Sequence, residues 1–120
     1  MVNYEVLEYK LRFYGRSQSA QEKDRRAELL LGGRGDESTG PLVGRIFFYT
    51  SETLEAKQDR LDADGRPEGN MSISEIGAVV DMLRYEKPIY IVWDVRMNRV
   101  LLQTGQEPVG EEESRPQHQG

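Results

Sequence analysis

The chain has 120 residues, no cysteine and a formal net charge of −5 at pH 7. A chain of this length is predicted to fold as one domain, and the lack of cysteine excludes disulfides, thiolate zinc sites and a cysteine nucleophile. No apolar run approaches the roughly 18 residues of a membrane-spanning helix, and the first residues lack the basic and apolar segments of a signal peptide. We therefore expect a cytoplasmic protein that does not enter a membrane.

The acidic charge is concentrated at the end of the chain. Residues 105–120 contain four glutamates and one arginine, whereas residues 1–50 carry eight basic and seven acidic side chains. Nucleic-acid binding depends on lysine and arginine side chains that displace counterions from phosphates, and the total charge does not decide for or against it. We predict a folded domain over residues 1–105 and an acidic, disordered tail over residues 106–120.

The first half of the chain has the alternation of a β protein. Apolar and polar residues alternate over residues 5–13, which predicts one long half-buried strand, and the polar residues 15–24 predict a loop. Residues 25–31 fit a strand or a helix, and we favour a strand because the long turn over 32–41 leads into a clear strand over 42–50.

The next two segments are polar. Residues 51–60 fit either a short helix or a fourth strand, and the spacing of Leu54 and Leu61 slightly favours the helix. The composition of residues 62–70 predicts a loop.

A helix and a hairpin follow. Ser72 and Glu75 have the spacing of a capping box, and apolar residues then recur at helical spacing until Pro88 ends the helix. Two runs rich in β-branched and aromatic residues, 89–95 and 100–102, predict a β-hairpin. The predicted fold class is α+β, with an antiparallel sheet, one principal amphipathic helix and the element order β-β-β-(β)-α-β-β.

The sequence offers no catalytic or metal-binding set. A calcium loop counted from Asp64 to Glu75 places Arg66 at a ligand position, where it would repel the ion. The single histidine, His118, lies in the predicted tail, away from any nucleophile. The paired carboxylates of Asp62 and Asp64 lie in a polar run, and the glycine-rich segment 32–35 leads into a strand rather than a helix. We therefore predict a non-enzymatic protein without cofactor or metal.

One face of the predicted meander combines cations with rings. That combination suits single-stranded nucleic acid, because cations follow the phosphates while bases stack on aromatic side chains. Glu8 and Glu28 share the face and reduce its positive charge. The alternative is an ordinary solvated face with cross-strand ion pairs, or a subunit contact. The candidate site residues are Lys10, Arg12, Tyr14, Arg26, Arg45, Phe47 and Tyr49.

Two stretches carry a family resemblance. The Gly-Arg-aromatic run over residues 44–49, and residues 70–76 leading into the helix, are similar to the corresponding parts of PUR repeats. Over residues 4–86 the pattern resembles the β-β-β-β-α unit of the PC4, Whirly and PUR group of single-stranded-DNA-binding regulators. The resemblance implies a homodimer or higher oligomer that holds nucleic acid on its sheet. The hairpin over 89–104 extends beyond that unit.

A second function class competes with nucleic-acid binding. In this interpretation an apolar sheet face or the hairpin docks a protein partner, and no nucleic acid is involved. Tyr90 and Trp93 lie on opposite faces of one strand, so at least one ring meets another element or another chain, and we expect Trp93 in the core. An enzyme is the third and least favoured class.

Overall fold

The computed structural model describes residues 3–15, 25–35, 40–50, 54 and 57–105. Within these ranges the chain forms eight strands, a short 3₁₀ helix and the α-helix over Ile76–Tyr85, and Leu54 is also helical, which confirms the predicted α+β class. The elements are β1 (Asn3–Val6), β2 (Glu8–Phe13), β3 (Arg25–Gly32), β4 (Leu42–Tyr49), β5 (Arg60–Leu61), β6 (Pro67–Ser72), the 3₁₀ helix (Ile73–Glu75), α1 (Ile76–Tyr85), β7 (Ile89–Asp94) and β8 (Arg99–Thr104).

The strands form two sheets. The small sheet has the order β1-β7-β8 and the large sheet the order β2-β3-β4-β6-β5. All neighbours run antiparallel except β4 and β6, which run parallel. Two of the expected pairings, the meander of β2, β3 and β4 and the hairpin of β7 and β8, are therefore present.

The predicted single strand over residues 5–13 is wrong, because the chain changes sheets at Leu7. Val6 pairs with Ile89 in the small sheet, whereas Glu8 pairs with Gly32 in the large one. Inward-facing residues have even numbers in β1 and odd numbers in β2, so the alternation shifts phase at the break. Alternation reports burial and not the pairing partner.

The predicted loop over residues 62–70 is wrong in its second half. Pro67 begins β6, a position where a strand tolerates proline, and Gly69 lies against Val100 of the small sheet. A Cβ at residue 69 would lie 3.1 Å from the Cβ of Val100, so a glycine here allows the two sheets to pack closely. The same glycine makes the segment look less like a strand in the sequence. In the segment 51–60, which was open between helix and strand, Leu54 is helical and its N–H donates to the Thr50 carbonyl at 3.1 Å. The other residues between Thr50 and Lys57 lie outside the described ranges, and Arg60 begins the short strand β5.

The core lies between the two sheets and is closed by the helix. Gly44 of β4 faces Ile91 of β7, and a Cβ on Gly44 would lie 2.5 Å from the Ile91 Cδ1. Trp93 packs against this core, as predicted. Its buried apolar residues are Ala27, Leu29, Leu31, Val43, Ile46, Phe48, Val79, Ile91 and Val100.

The helix has the predicted bounds and the predicted buried stripe. The Ser72 hydroxyl accepts a hydrogen bond from the Ser74 backbone N–H at 3.2 Å, and α1 ends at Tyr85, ahead of Pro88. Val79 is buried, and Ile73, Ile76 and Leu83 also pack on the core. Among the described residues no helix has the length and apolar character needed to cross a bilayer.

Asp59 joins the two sheets. Its carboxylate accepts hydrogen bonds at 2.8 Å from the backbone N–H groups of Asn70 in β6 and Val100 in β8. Each of these amides therefore has a partner although the sheets do not pair with each other. These two bonds also hold the segment before β5 next to β6 and β8.

Candidate nucleic-acid interface

The candidate site lies on the side of the large sheet opposite the core, which we call the outer face. Ile46 and Phe48 of β4 are buried in the core, and their neighbours Arg45, Phe47 and Tyr49 point the other way because side chains alternate along a strand. Cross-strand register brings β2, β3 and β6 to the same face. The outer face comprises Lys10, Arg12, Tyr14, Arg25, Glu28, Arg45, Phe47, Tyr49, Glu68 and Asn70.

A buried carboxylate organises one half of the outer face. Glu28 is only 4% exposed, and it accepts hydrogen bonds from Arg12 Nη1 at 3.5 Å and from Arg45 Nη1 at 3.3 Å. The Tyr14 hydroxyl donates a short hydrogen bond to the same carboxylate. A buried charge requires such partners, since without them its desolvation is not compensated. Glu28 therefore positions both arginines.

The same carboxylate affects the ionisation of Tyr14. Burial raises the pKa of the Tyr14 hydroxyl above its usual value, and the hydrogen bond to Glu28 and the charge of Glu28 raise it further. Both effects favour the neutral phenol, which is the form that donates the hydrogen bond. Tyr14 is thus a neutral hydrogen-bond donor over the physiological pH range.

Cations already cover the rings of the other half. The Arg25 guanidinium carbon lies 4.1 Å from the centre of the Phe47 ring and 5.8 Å from that of Tyr49, and its Nε donates to the Tyr49 hydroxyl at 3.3 Å. Lys57 Nζ lies 5.0 Å from the centre of the Tyr49 ring, and Tyr49 is 2% exposed. These are cation–π contacts. An incoming base would therefore meet the guanidinium plane of Arg25 before it met either ring.

The structure puts Arg25 where the sequence predicted Arg26. Arg25 pairs with Tyr49 and Ala27 pairs with Phe48, so β3 carries one extra residue in a bulge. Arg26 is this extra residue and is exposed. Strict alternation counted back from Glu28 assigns Arg26 to the outer face, and the bulge changes the assignment because it shifts the phase by one residue.

A groove of about 310 Å³ opens between β4, β6 and residues 57–60. It brings Lys57 and Arg60 beside Arg25 and Arg45, and sequence analysis missed three of these four cations. The Glu68 carboxylate, which is buried, accepts from Arg60 Nε at 2.8 Å and lies 3.8 Å from Arg45 Nε. Parallel pairing of β6 with β4 creates the groove, and alternation within single strands contains no signal for that pairing.

The predicted site residues other than Arg26 fall into two clusters on the outer face, and Lys10 lies apart from both. Arg12, Tyr14 and Arg45 share the Glu28 network, and Phe47 and Tyr49 form the floor of the Arg25 contact. Lys10 lies on the edge strand β2, about 10 Å from β4 at the usual strand spacing. The site therefore centres on β3, β4 and β6.

The calcium-like loop is an internally bonded turn. The Asp62 carboxylate accepts from the backbone N–H groups of Asp64 and Arg66 and contacts Arg66 Nε at 2.7 Å. Burial opposes the charged form of Asp62, and the hydrogen bonds from Arg66 and Asp64 outweigh it and lower its pKa. Within the described ranges, no three metal-ligating side chains form a group. His118 lies outside the described residues.

The outer face has positively charged side chains, guanidinium groups that can donate hydrogen bonds, and a flat surface on which a ring can stack. Such groups bind an anion that carries planar rings, and a nucleotide strand has that combination. Each of the groove cations contacts an aromatic ring or a carboxylate. Comparison of the chain with protein-family models, with curated proteins and with solved structures finds no match.

Proposed function

We propose that this protein binds single-stranded nucleic acid through the outer face. The observation that carries the proposal is the Arg25 guanidinium, which is stacked on Phe47 at 4.1 Å and is among the residues that line the groove. Guanidinium planes stack on unpaired bases, and double-stranded nucleic acid does not present a base face in this way. We therefore expect preference for single strands over duplexes.

The residues around Arg25 have separate roles in this proposal. Lys57 and Arg60 border the groove and would contact phosphates, whereas Arg45 is shared between Glu28 and Glu68 and adds positive potential. The Asn70 side-chain N–H groups already donate to the Gln58 carbonyl and the Asp59 carboxylate, so they are not available to donate to a base. Binding of this kind depends on backbone and stacking contacts and is largely independent of sequence.

We propose in addition that the protein is a homodimer located in the cytoplasm. The resemblance to the PC4, Whirly and PUR group supports a homodimer whose sheet carries the nucleic acid. A chain without cysteine is suited to a reducing compartment, and we propose a cytoplasmic location.

Fluorescence anisotropy of a labelled single-stranded oligonucleotide tests the proposal. We expect binding at micromolar protein near about 50 mM salt, with a logarithmic salt slope of about −2 if three cations replace counterions on a single strand. Arg25→Ala should weaken binding about tenfold, since it removes both the stacking surface and a charge. No binding by the wild-type chain at this salt concentration would refute the proposal.

Arg84→Ala provides the matched control. Arg84 lies 5.3 Å from the centre of the Tyr85 ring on α1, so the variant removes an equivalent cation–π pair away from the outer face. Its affinity should equal that of the wild type. An equal loss in both variants would show that net charge, rather than the groove, governs binding.

Protein binding without nucleic acid is the second candidate function. Exposed apolar side chains favour it: Leu7 precedes β2, Phe13 ends it, and Val95 and Met97 lie in the turn of the β7–β8 hairpin. If the wild-type chain fails to bind the oligonucleotide, this candidate takes precedence. Its own test is a protein partner whose binding is lost on Met97→Lys while Arg25→Ala leaves that binding intact.

A further inference from the structure

The strand β2 forms one edge of the large sheet, and among the described residues it pairs with β3 alone. Edge strands usually carry charges or proline that prevent association with another chain. On the other face of this edge, however, Tyr9 and Phe13 of β2 form an apolar row with Leu7, the residue just before the strand. Leu7, Tyr9 and Phe13 are 54%, 38% and 65% exposed.

The sequence of β2 is complementary to itself when it runs antiparallel about Lys10. Glu8 then lies opposite the partner's Arg12, and this ion pair occurs twice by symmetry. On the other side of the sheet Leu7 lies opposite the partner's Phe13, and Tyr9 opposite the partner's Leu11. Lys10 faces its own copy and has the partner's Glu8 on one diagonal and the partner's Arg12 on the other. The register covers the full length of β2 and includes Phe13 and Leu7, the residue just before β2, which are the two most exposed apolar residues of this edge.

We propose that two copies of this protein associate through antiparallel pairing of β2 with β2, centred on Lys10. The charge pairing between Glu8 and Arg12 sets the register, and the apolar row supplies the buried surface. One strand pair lies at the small end of specific interfaces, which start at about 1,200 Å² in total, so the dissociation constant should be micromolar.

The symmetry of this pairing has a consequence for the outer face. A two-fold axis perpendicular to the sheet keeps both outer faces on the same side, so the two large sheets form one continuous sheet. This inference rests on the homodimer of the proposed function and names its interface, and if the outer face binds nucleic acid, the two grooves share one surface. Because dimer formation is measured without oligonucleotide, a failure of the pairing and a failure of nucleic-acid binding are distinguishable.

Sedimentation equilibrium over a range of protein concentrations measures the association. The wild-type chain should shift from monomer to dimer in the micromolar range, and Phe13→Lys should raise the dissociation constant about tenfold or more. Since Phe13 is exposed, its substitution should leave the thermal unfolding midpoint unchanged. A wild-type chain that stays monomeric overturns the proposal, as does a dimer unaffected by Phe13→Lys.

A single cysteine tests the register. The chain has no cysteine, so Lys10→Cys introduces one thiol per copy. Directly opposed residues of an antiparallel pair lie about 4.5–5.5 Å apart at Cα, within the range that a disulfide spans. We expect a cross-linked dimer on mild oxidation of Lys10→Cys and none for Asp81→Cys, which is exposed on α1. Equal cross-linking of both variants, or none for Lys10→Cys, contradicts the register.

Discussion

Glu28→Gln should change stability and nucleic-acid affinity in opposite directions. The substitution keeps the shape of the side chain and removes the charge that holds Arg12, Tyr14 and Arg45. Hydrogen bonds to charged groups contribute about 1 kcal/mol more than neutral ones. Both arginine contacts are long, and both arginines are partly exposed, so we expect a loss of about 2 kcal/mol rather than the full value for three bonds.

The gain in affinity follows from the same charge. A carboxylate about 10 Å from a bound phosphate, at an effective dielectric constant of about 40, opposes binding by about 0.8 kcal/mol. Screening by salt reduces this value, and we expect Glu28→Gln to bind the oligonucleotide about two to four times more tightly. The salt slope should steepen by about 0.7, because one more cation becomes available to phosphate.

The stability and the oligonucleotide affinity of Glu28→Gln can be measured on one protein preparation. The thermal unfolding midpoint, followed by circular dichroism, should fall by about 8 °C, while oligonucleotide anisotropy shows the tighter binding. Asp81→Asn is the control, since it removes an exposed charge from the helix. Weaker binding by Glu28→Gln, or an equal gain in Asp81→Asn, would refute the assignment of Glu28 as the organiser of the outer face.

Three further predictions concern the fold. Gly44→Ala should destabilise the protein by about 2 kcal/mol in urea titrations because its Cβ would clash with β7, whereas Gly77→Ala, in open space on α1, should stabilise it by about 0.5 kcal/mol. Equal effects of the two would contradict the close approach of the sheets. Asp59→Asn should leave one of the two backbone donors, Asn70 or Val100, unsatisfied at a cost of about 1–3 kcal/mol, and hydrogen exchange at that amide should accelerate; unchanged exchange at both amides would exclude Asp59 as a link between the sheets. Because the pKa of Asp62 is lowered in the folded state, its contribution is present above the ordinary aspartate pKa of about 4 and is lost as pH falls through the folded value. Acid titration of stability should therefore show a smaller loss for Asp62→Asn than for the wild type.

The sequence by itself determined the elements whose causes are local. The Ser72 hydroxyl accepts a hydrogen bond from a free backbone N–H at the start of the helix, and Pro88 cannot continue a helix. Both ends of the helix could therefore be predicted from the sequence. The hairpin over residues 89–104 and the strand character of residues 25–31 were predicted for similar reasons, since β-branched and apolar runs between turns report burial along one strand.

Only the tertiary structure decided the strand pairings beyond the predicted meander and hairpin, and the candidate site depends on those pairings. The change of sheet at Leu7, the bulge that presents Arg25, and the parallel pairing that brings Lys57 and Arg60 to the groove all arise between segments distant in the chain. The alternation pattern specifies which side of a strand is buried, whereas pairing depends on the energy of contacts with another strand. Gly69 illustrates this distinction between local pattern and strand pairing. In the sequence it favours a loop, whereas in the structure it is a strand residue that allows Val100 of the other sheet to pack closely against it.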